Sequence, residues 1–133
     1  FYSLGNYISN QNRLSFQDLT QSIRPYTENG LMVTLNIRKY STGDVYVKSI
    51  DYTPTWVHRY PDSNGYQYNV VPLPQANNDP EGYGLTASDF GVDHAAAAFQ
   101  MTDSVFSAPI MAFNTKMADE IAAFSQSYYD NSK

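Results

Sequence analysis

Leu31-Met32-Val33-Thr34-Leu35-Asn36-Ile37-Arg38 is the stretch on which the fold class turns. Leu31, Val33, Leu35 and Ile37 fall on one side of a period of two, and Met32, Thr34, Asn36 and Arg38 on the other. Successive side chains of an extended chain point to opposite faces, whereas a helix would scatter this set around its circumference. The stretch therefore predicts a strand, and Glu28-Asn29-Gly30 supplies a turn before it. After a Ser41-Thr42-Gly43-Asp44 loop, residues 45–52 form a second β-rich run. Tyr46, Ile50 and Tyr52 share one of its faces and Val45 and Val47 the other, so the two runs predict an antiparallel hairpin. A third extended piece, residues 55–60, begins after Pro54, and a fourth covers residues 66–73 before Pro74.

Upstream of this hairpin, Phe1-Tyr2-Ser3-Leu4 reads as a strand ending in a Gly5-Asn6 turn, because Gly and Asn accept positive φ at low cost. Residues 9–30 are polar, with a short helix expected near residues 16–23 that Arg24-Pro25 would end. Downstream, residues 74–86 are loop by composition (Pro-Gln-Ala-Asn-Asn-Asp-Pro and on). The period then changes. Thr86 with Asp89 approximates a capping box, and residues 94–106 contain the helix-favouring Ala95-Ala96-Ala97-Ala98 run. Pro109 is expected to separate this from a last helix, whose Ile110, Phe113, Met117, Ile121, Phe124 and Tyr128 recur at three- and four-residue steps. Strands first and helices last make an α+β arrangement: antiparallel hairpins in a β-rich part (residues 1–73), a loop (74–86) and two C-terminal helices (87–130) in one domain or fragment spanning residues 1–133.

Composition narrows the function classes. In 133 residues, hydrophobic side chains make up 42% and charged ones only 16%, with twelve Tyr among the aromatics. That is a chain able to bury a core beneath a polar, weakly charged surface. Tyr packs a ring while leaving its hydroxyl wet, which suits half-buried strands and binding surfaces alike. The net charge of −5 and the absence of any basic run longer than Arg38-Lys39 exclude a nucleic-acid footprint and disfavour an anionic membrane surface. No apolar run approaches the roughly 20 residues of a spanning helix. Without cysteine there is no disulfide, thiolate metal site or Cys nucleophile.

The search for chemistry returns no catalytic or metal-ligating set. The two histidines, His58 and His94, are far apart in sequence. His58 reads as a half-exposed strand residue and His94 as a surface residue near a helix start. Asp93 adjoins His94, but neighbours in a helix do not face one another. No G-x-S-x-G elbow is present, Gly82-Tyr83-Gly84 is too short to cradle a phosphate, and nothing in their spacing pairs Asp51, Asp62, Asp79 or Glu81. Trp56 can be read as a ligand-stacking aromatic or as core.

Three segments carry a family resemblance. Tyr2-Ser3-Leu4-Gly5-Asn6-Tyr7-Ile8-Ser9-Asn10-Gln11-Asn12-Arg13 resembles the YSLGNF strand-turn of the CapA-type poly-γ-glutamate capsule biosynthesis proteins and its GNFISNQR extension. It departs in having Tyr7 for the Phe and Asn12 inserted before Arg13. Glu28-Asn29-Gly30-Leu31 is similar to the entry to the family's next strand. Tyr52-Thr53-Pro54-Thr55-Trp56-Val57, ending in Val70-Val71-Pro72-Leu73, is similar to its Y-x-P-T-W-V … PL segment.

The resemblance implies the C-terminal part of a calcineurin-like β-sandwich metallophosphoesterase, exported or displayed at a bacterial cell surface. A divalent metal pair in the full-length parent would activate water towards a phosphorus ester. The ligand motifs of that fold should precede the Ser-Leu-Gly-Asn strand, and none occurs in this sequence. The resemblance therefore implies no cofactor in this chain, no catalytic residue, and the upstream catalytic portion as partner. It also offers Asn6, Gln11 and Arg13 as substrate-proximal residues; the other reading has Gly5-Asn6 simply forming the turn, with Asn6 capping backbone groups. The start at Phe1, in mid-strand, fits a cut chain whose exposed first strand would pair in a homodimer. A second reading of the whole is an autonomous cell-surface binding or scaffold module, for which a protein suits an acidic chain better than an anionic polymer does.

Overall fold

A computed structural model describes residues 28–87 and 91–130. The strand expected at residues 1–4, the Gly5-Asn6 turn, the helix near residues 16–23 and Asp89 of the capping box lie outside the described residues. Strands β1 (Asn29–Lys39), β2 (Val45–Asp62) and β3 (Gly65–Pro72) form one antiparallel sheet in the order β1-β2-β3. Helix α1 (Leu73–Asn78), a 3-10 turn (Glu81–Tyr83) and helix α2 (Gly91–Asp130) follow. The α+β class is as the sequence predicts. The chain divides into two compact units.

The first unit comprises residues 28–32, 53–87 and 91–104 of the described chain. Here β2 and β3 pair from Thr55↔Pro72 to Asp62↔Gly65, which leaves Ser63-Asn64 as a two-residue turn. The turn is held by Asn64 N–H donating to Asp62 Oδ1 (2.7 Å), and Gly65 takes a φ of +118° that a side chain would strain. Trp56 and Val71 are cross-strand partners and so share a face. They pack with Leu73 and Ala76 of α1, Leu85, and Ala95 and Ala98 of α2 in one core. Leu73/Ala76 and Ala95/Ala98 are i,i+3 pairs, so each helix turns a single narrow edge inward, and the alanines permit close approach. Removing a side chain such as Leu73, which is wholly buried, from water contributes about 1.5–3 kcal/mol.

The second unit comprises residues 33–52 and 105–130. Its hairpin closes through Tyr40 N–H to the Asp44 carbonyl (2.9 Å) and Gly43 N–H to the Tyr40 carbonyl (3.0 Å), with Gly43 at φ +97°. Asn36 Nδ2 donates across the strands to Ser49 Oγ (2.8 Å) and Asp51 Oδ2 (2.9 Å). Asn114 of α2 takes the place of a neighbouring strand for Ile50: its Oδ1 accepts the Ile50 N–H (2.8 Å) and its Nδ2 donates to the Ile50 carbonyl (2.9 Å). One side-chain amide thus satisfies both backbone groups of a strand residue, groups that burial would otherwise leave costly.

Three expectations need correcting. The second and third extended pieces are one 18-residue strand, because Pro54 sits buried within β2 instead of breaking it. Proline forfeits one ladder donor, so it is tolerated where that N–H is not needed. Residues 74–86 are not all loop: Pro74 lies in the first turn of α1, where its missing N–H is no loss, and the burial of Leu73 and Ala76 stabilises that short helix. The two C-terminal helices are one, with exposed Pro109 inside α2. A proline's φ is helical, and the bond it deletes is a single one. The period-two face of β1 is unevenly covered: Leu31 is buried, while Leu35 and Ile37 are 49% and 62% exposed.

Candidate functional site

The residues that the sequence marks out meet around Trp56 in the first unit. Strand β2 presents Trp56, His58 and Tyr60 at alternate positions, and their rings form a ladder along one face. Trp56 and His58 stack at 5.2 Å with 22° between planes, and His58 and Tyr60 follow at 5.1 Å and 33°. His94, early in α2, meets the indole edge-on at 6.3 Å and 70°. Two histidines far apart in sequence are therefore gathered on one tryptophan.

The indole N–H is committed. Trp56 Nε1 donates to Glu28 Oε2 at 2.9 Å, and the Glu28 carbonyl accepts Val57 N–H at 3.0 Å. Glu28 thus clamps β2 with both its side chain and its backbone. Trp56, His58 and Glu28 are 3%, 2% and 7% exposed, so all three are buried, while Tyr60 and His94 are half-buried. Of the two readings of Trp56, its surroundings are those of a core anchor. His58 is a correction to the expected half-exposed strand histidine: it lies on the Trp56 face of β2, stacks on the indole and is buried. His94 is half-buried rather than a plain surface residue. Among the described residues no group of three or more His, Asp or Glu is placed to hold a metal ion. Asn6, Gln11 and Arg13 lie outside the described residues.

Sequence reasoning missed the role of Glu28, which had only turn neighbours to mark it. It also missed an exposed aromatic row on β3. Tyr66, Tyr68 and Val70 alternate along the strand and are 57%, 42% and 37% exposed. The register places Arg59 opposite Tyr68, and its guanidinium stands 3.6 Å over the Tyr66 ring. That stacking leaves a cationic, aromatic surface on an acidic chain. The only signal available beforehand was the period-two spacing of the tyrosines.

No family model, no curated protein and no solved structure matches this chain.

Proposed function

We propose that this chain is the C-terminal part of a capsule (poly-γ-glutamate) biosynthesis protein of the metallophosphoesterase type and is not catalytic by itself. One observation supports the reading most directly. The two segments that resemble the family after residue 27 act together as a single structural device: Glu28 of the first bonds Trp56 of the second, and Trp56 pairs with Val71 near that second segment's end. Motif residues that serve a shared packing arrangement carry over between related chains for a physical reason. In this reading the divalent metal pair and the catalytic residues belong to an upstream portion of the parent, which is this chain's principal partner and is exported or displayed at the cell surface.

The test is a pair of measurements on the purified chain. Calorimetric titration with Mn²⁺ and Zn²⁺ should show no stoichiometric site, and a chromogenic phosphodiester should not be hydrolysed. The longer parent should bind the metal and hydrolyse the ester. One equivalent of metal bound by the chain alone overturns the proposal, as does a parent that binds none.

A second reading, an autonomous binding module for a protein partner, is favoured by the exposed Tyr66-Tyr68 row with Arg59 stacked beside it. Aromatic side chains and arginine are the residue types that dominate protein–protein contact energies. Pull-down by the wild-type chain of a partner that a Tyr66→Ser, Tyr68→Ser double variant fails to retain would establish it; equal retention by both would end it.

A further inference from the structure

Strand β3 is an edge of its sheet, and the pairing fixes which of its backbone groups face outward. In an antiparallel ladder, alternate residues of a strand turn both N–H and C=O to the same side. Val57 N–H turns away from β3, to the Glu28 carbonyl at 3.0 Å. Trp56, His58, Tyr60 and Asp62 therefore turn theirs towards β3, where their partners are Val71, Asn69, Gln67 and Gly65. The residues in between, Tyr66, Tyr68 and Val70, direct N–H and C=O away from the sheet. Among the described residues no strand lies beyond β3 to receive them. Edge strands are commonly guarded by charge, and β1, the other edge, ends in Arg38 and Lys39. β3 has no charged residue, and its one proline, Pro72, closes the strand. Arg59 reaches the Tyr66 ring from the inner strand, β2, and not from the edge.

We propose that two copies of this chain associate through β3, antiparallel, about a two-fold axis at Tyr68. The strand itself selects this occupant. Its outward residues are centred on Tyr68, so a reversed copy sets Val70 against Tyr66, Tyr68 against Tyr68 and Tyr66 against Val70. Each outward N–H of one copy then meets an outward carbonyl of the other, and none is left over. The side chains agree with that register. Ring meets ring at the centre, and a ring meets a β-branched side chain on either side, which are favourable cross-strand pairs. On the opposite face Gln67 falls opposite Asn69 of the second copy, and each amide offers the other a donor and an acceptor. No two like charges meet along the strand, and self-complementarity of this kind is what a two-fold contact requires. This pairing uses the backbone edge of β3 and holds whichever of the two functional readings is correct. One short strand per copy makes a small interface, so association is weak, with a dissociation constant on the order of 100 µM. The net charge of −5 on each copy opposes it, so added salt should tighten it.

The test is sedimentation equilibrium of the full chain from about 10 µM to about 1 mM, which should show monomer and dimer in exchange. Tyr68→Pro deletes the central outward N–H, which the β2 ladder does not use, and should weaken the dimer about tenfold or more. Tyr68 is 42% exposed, so Tyr68→Lys and Tyr68→Glu keep the fold, which an unchanged thermal midpoint verifies. Each of these two should be monomeric, because like charges then face one another, and an equimolar mixture of them should dimerise again. The chain has no cysteine, so Tyr68→Cys should cross-link to its own copy on mild oxidation. Tyr66→Cys, which faces Val70 of the second copy, should not. A chain still monomeric at about 1 mM, a dimer that Tyr68→Pro leaves intact, a Lys–Glu mixture that stays monomeric, or preferred cross-linking by Tyr66→Cys overturns the proposal.

Discussion

The two units use the same kinds of element, paired β1 and β2 strands and a stretch of α2, yet they bury very different amounts. In the first, Leu31, Trp56, Val57, Val71, Leu73, Ala76, Leu85, Ala95 and Ala98 are buried; in the second, Ile110 is the only buried hydrophobic residue among those described. Leu35, Ile37, Val45, Val105 and Met111 all stay substantially exposed in the second unit. The difference lies in what covers the hairpin. The first unit has β3, α1 and the 3-10 turn in addition to its share of α2. Among the described residues, the second has a segment of α2 alone, held by the Asn114 amide and the ring cluster of Tyr40, Tyr46 and Phe124. Secondary structure is therefore a poor guide to stability here. A third strand and two short helical turns separate a core from a set of half-buried contacts.

The comparison can be broken most severely at Trp56. Trp56→Ala should cost about 3–5 kcal/mol by denaturant unfolding, since it empties the centre of the core and removes the indole bond to Glu28. A loss below about 1 kcal/mol would mean that the first unit is not the stable one. In the second unit the largest single effect should come from Asn114→Ala, about 1–3 kcal/mol, because it leaves the Ile50 N–H and carbonyl unserved together. Hydrogen exchange at the Ile50 amide should speed up while that at Val57 does not. Pro109→Ala restores one helical donor on an exposed face and should stabilise by roughly 1–2 kcal/mol, read as a higher thermal midpoint. Smallest of all is Ile37→Thr: at 62% exposure it should change stability by no more than about 0.5 kcal/mol, despite its place in the strongest alternating pattern in the chain. A loss of several times that size would show a cover over Leu35 and Ile37 in solution.

Much of the fold was legible beforehand, and the misses share a cause. The alternation in residues 31–38 and 45–52 named two strands correctly, because period two reports the backbone whatever covers the faces. The same alternation says nothing of burial, since it does not report whether a covering layer exists. Pro54 and Pro109 were read as breaks, although each removes only one donor and neighbouring contacts can carry the element through. At the site, Trp56 was singled out, but its bond to Glu28 spans 28 residues of sequence and had no local signature. The same is true of Asn114 and Ile50, 64 residues apart.

By itself, the sequence determined the α+β order, the strand periodicity, the apolar stripe of the last helix and an acidic surface without a basic footprint, since each depends on neighbouring residues or on composition. The tertiary structure alone decided that β2 and α2 run unbroken through their prolines, that Glu28, His58 and His94 gather on Trp56, and that Leu35 and Ile37 remain open to water. Burial and hydrogen-bond satisfaction depend on what arrives from distant parts of the chain, and no local pattern encodes that arrival.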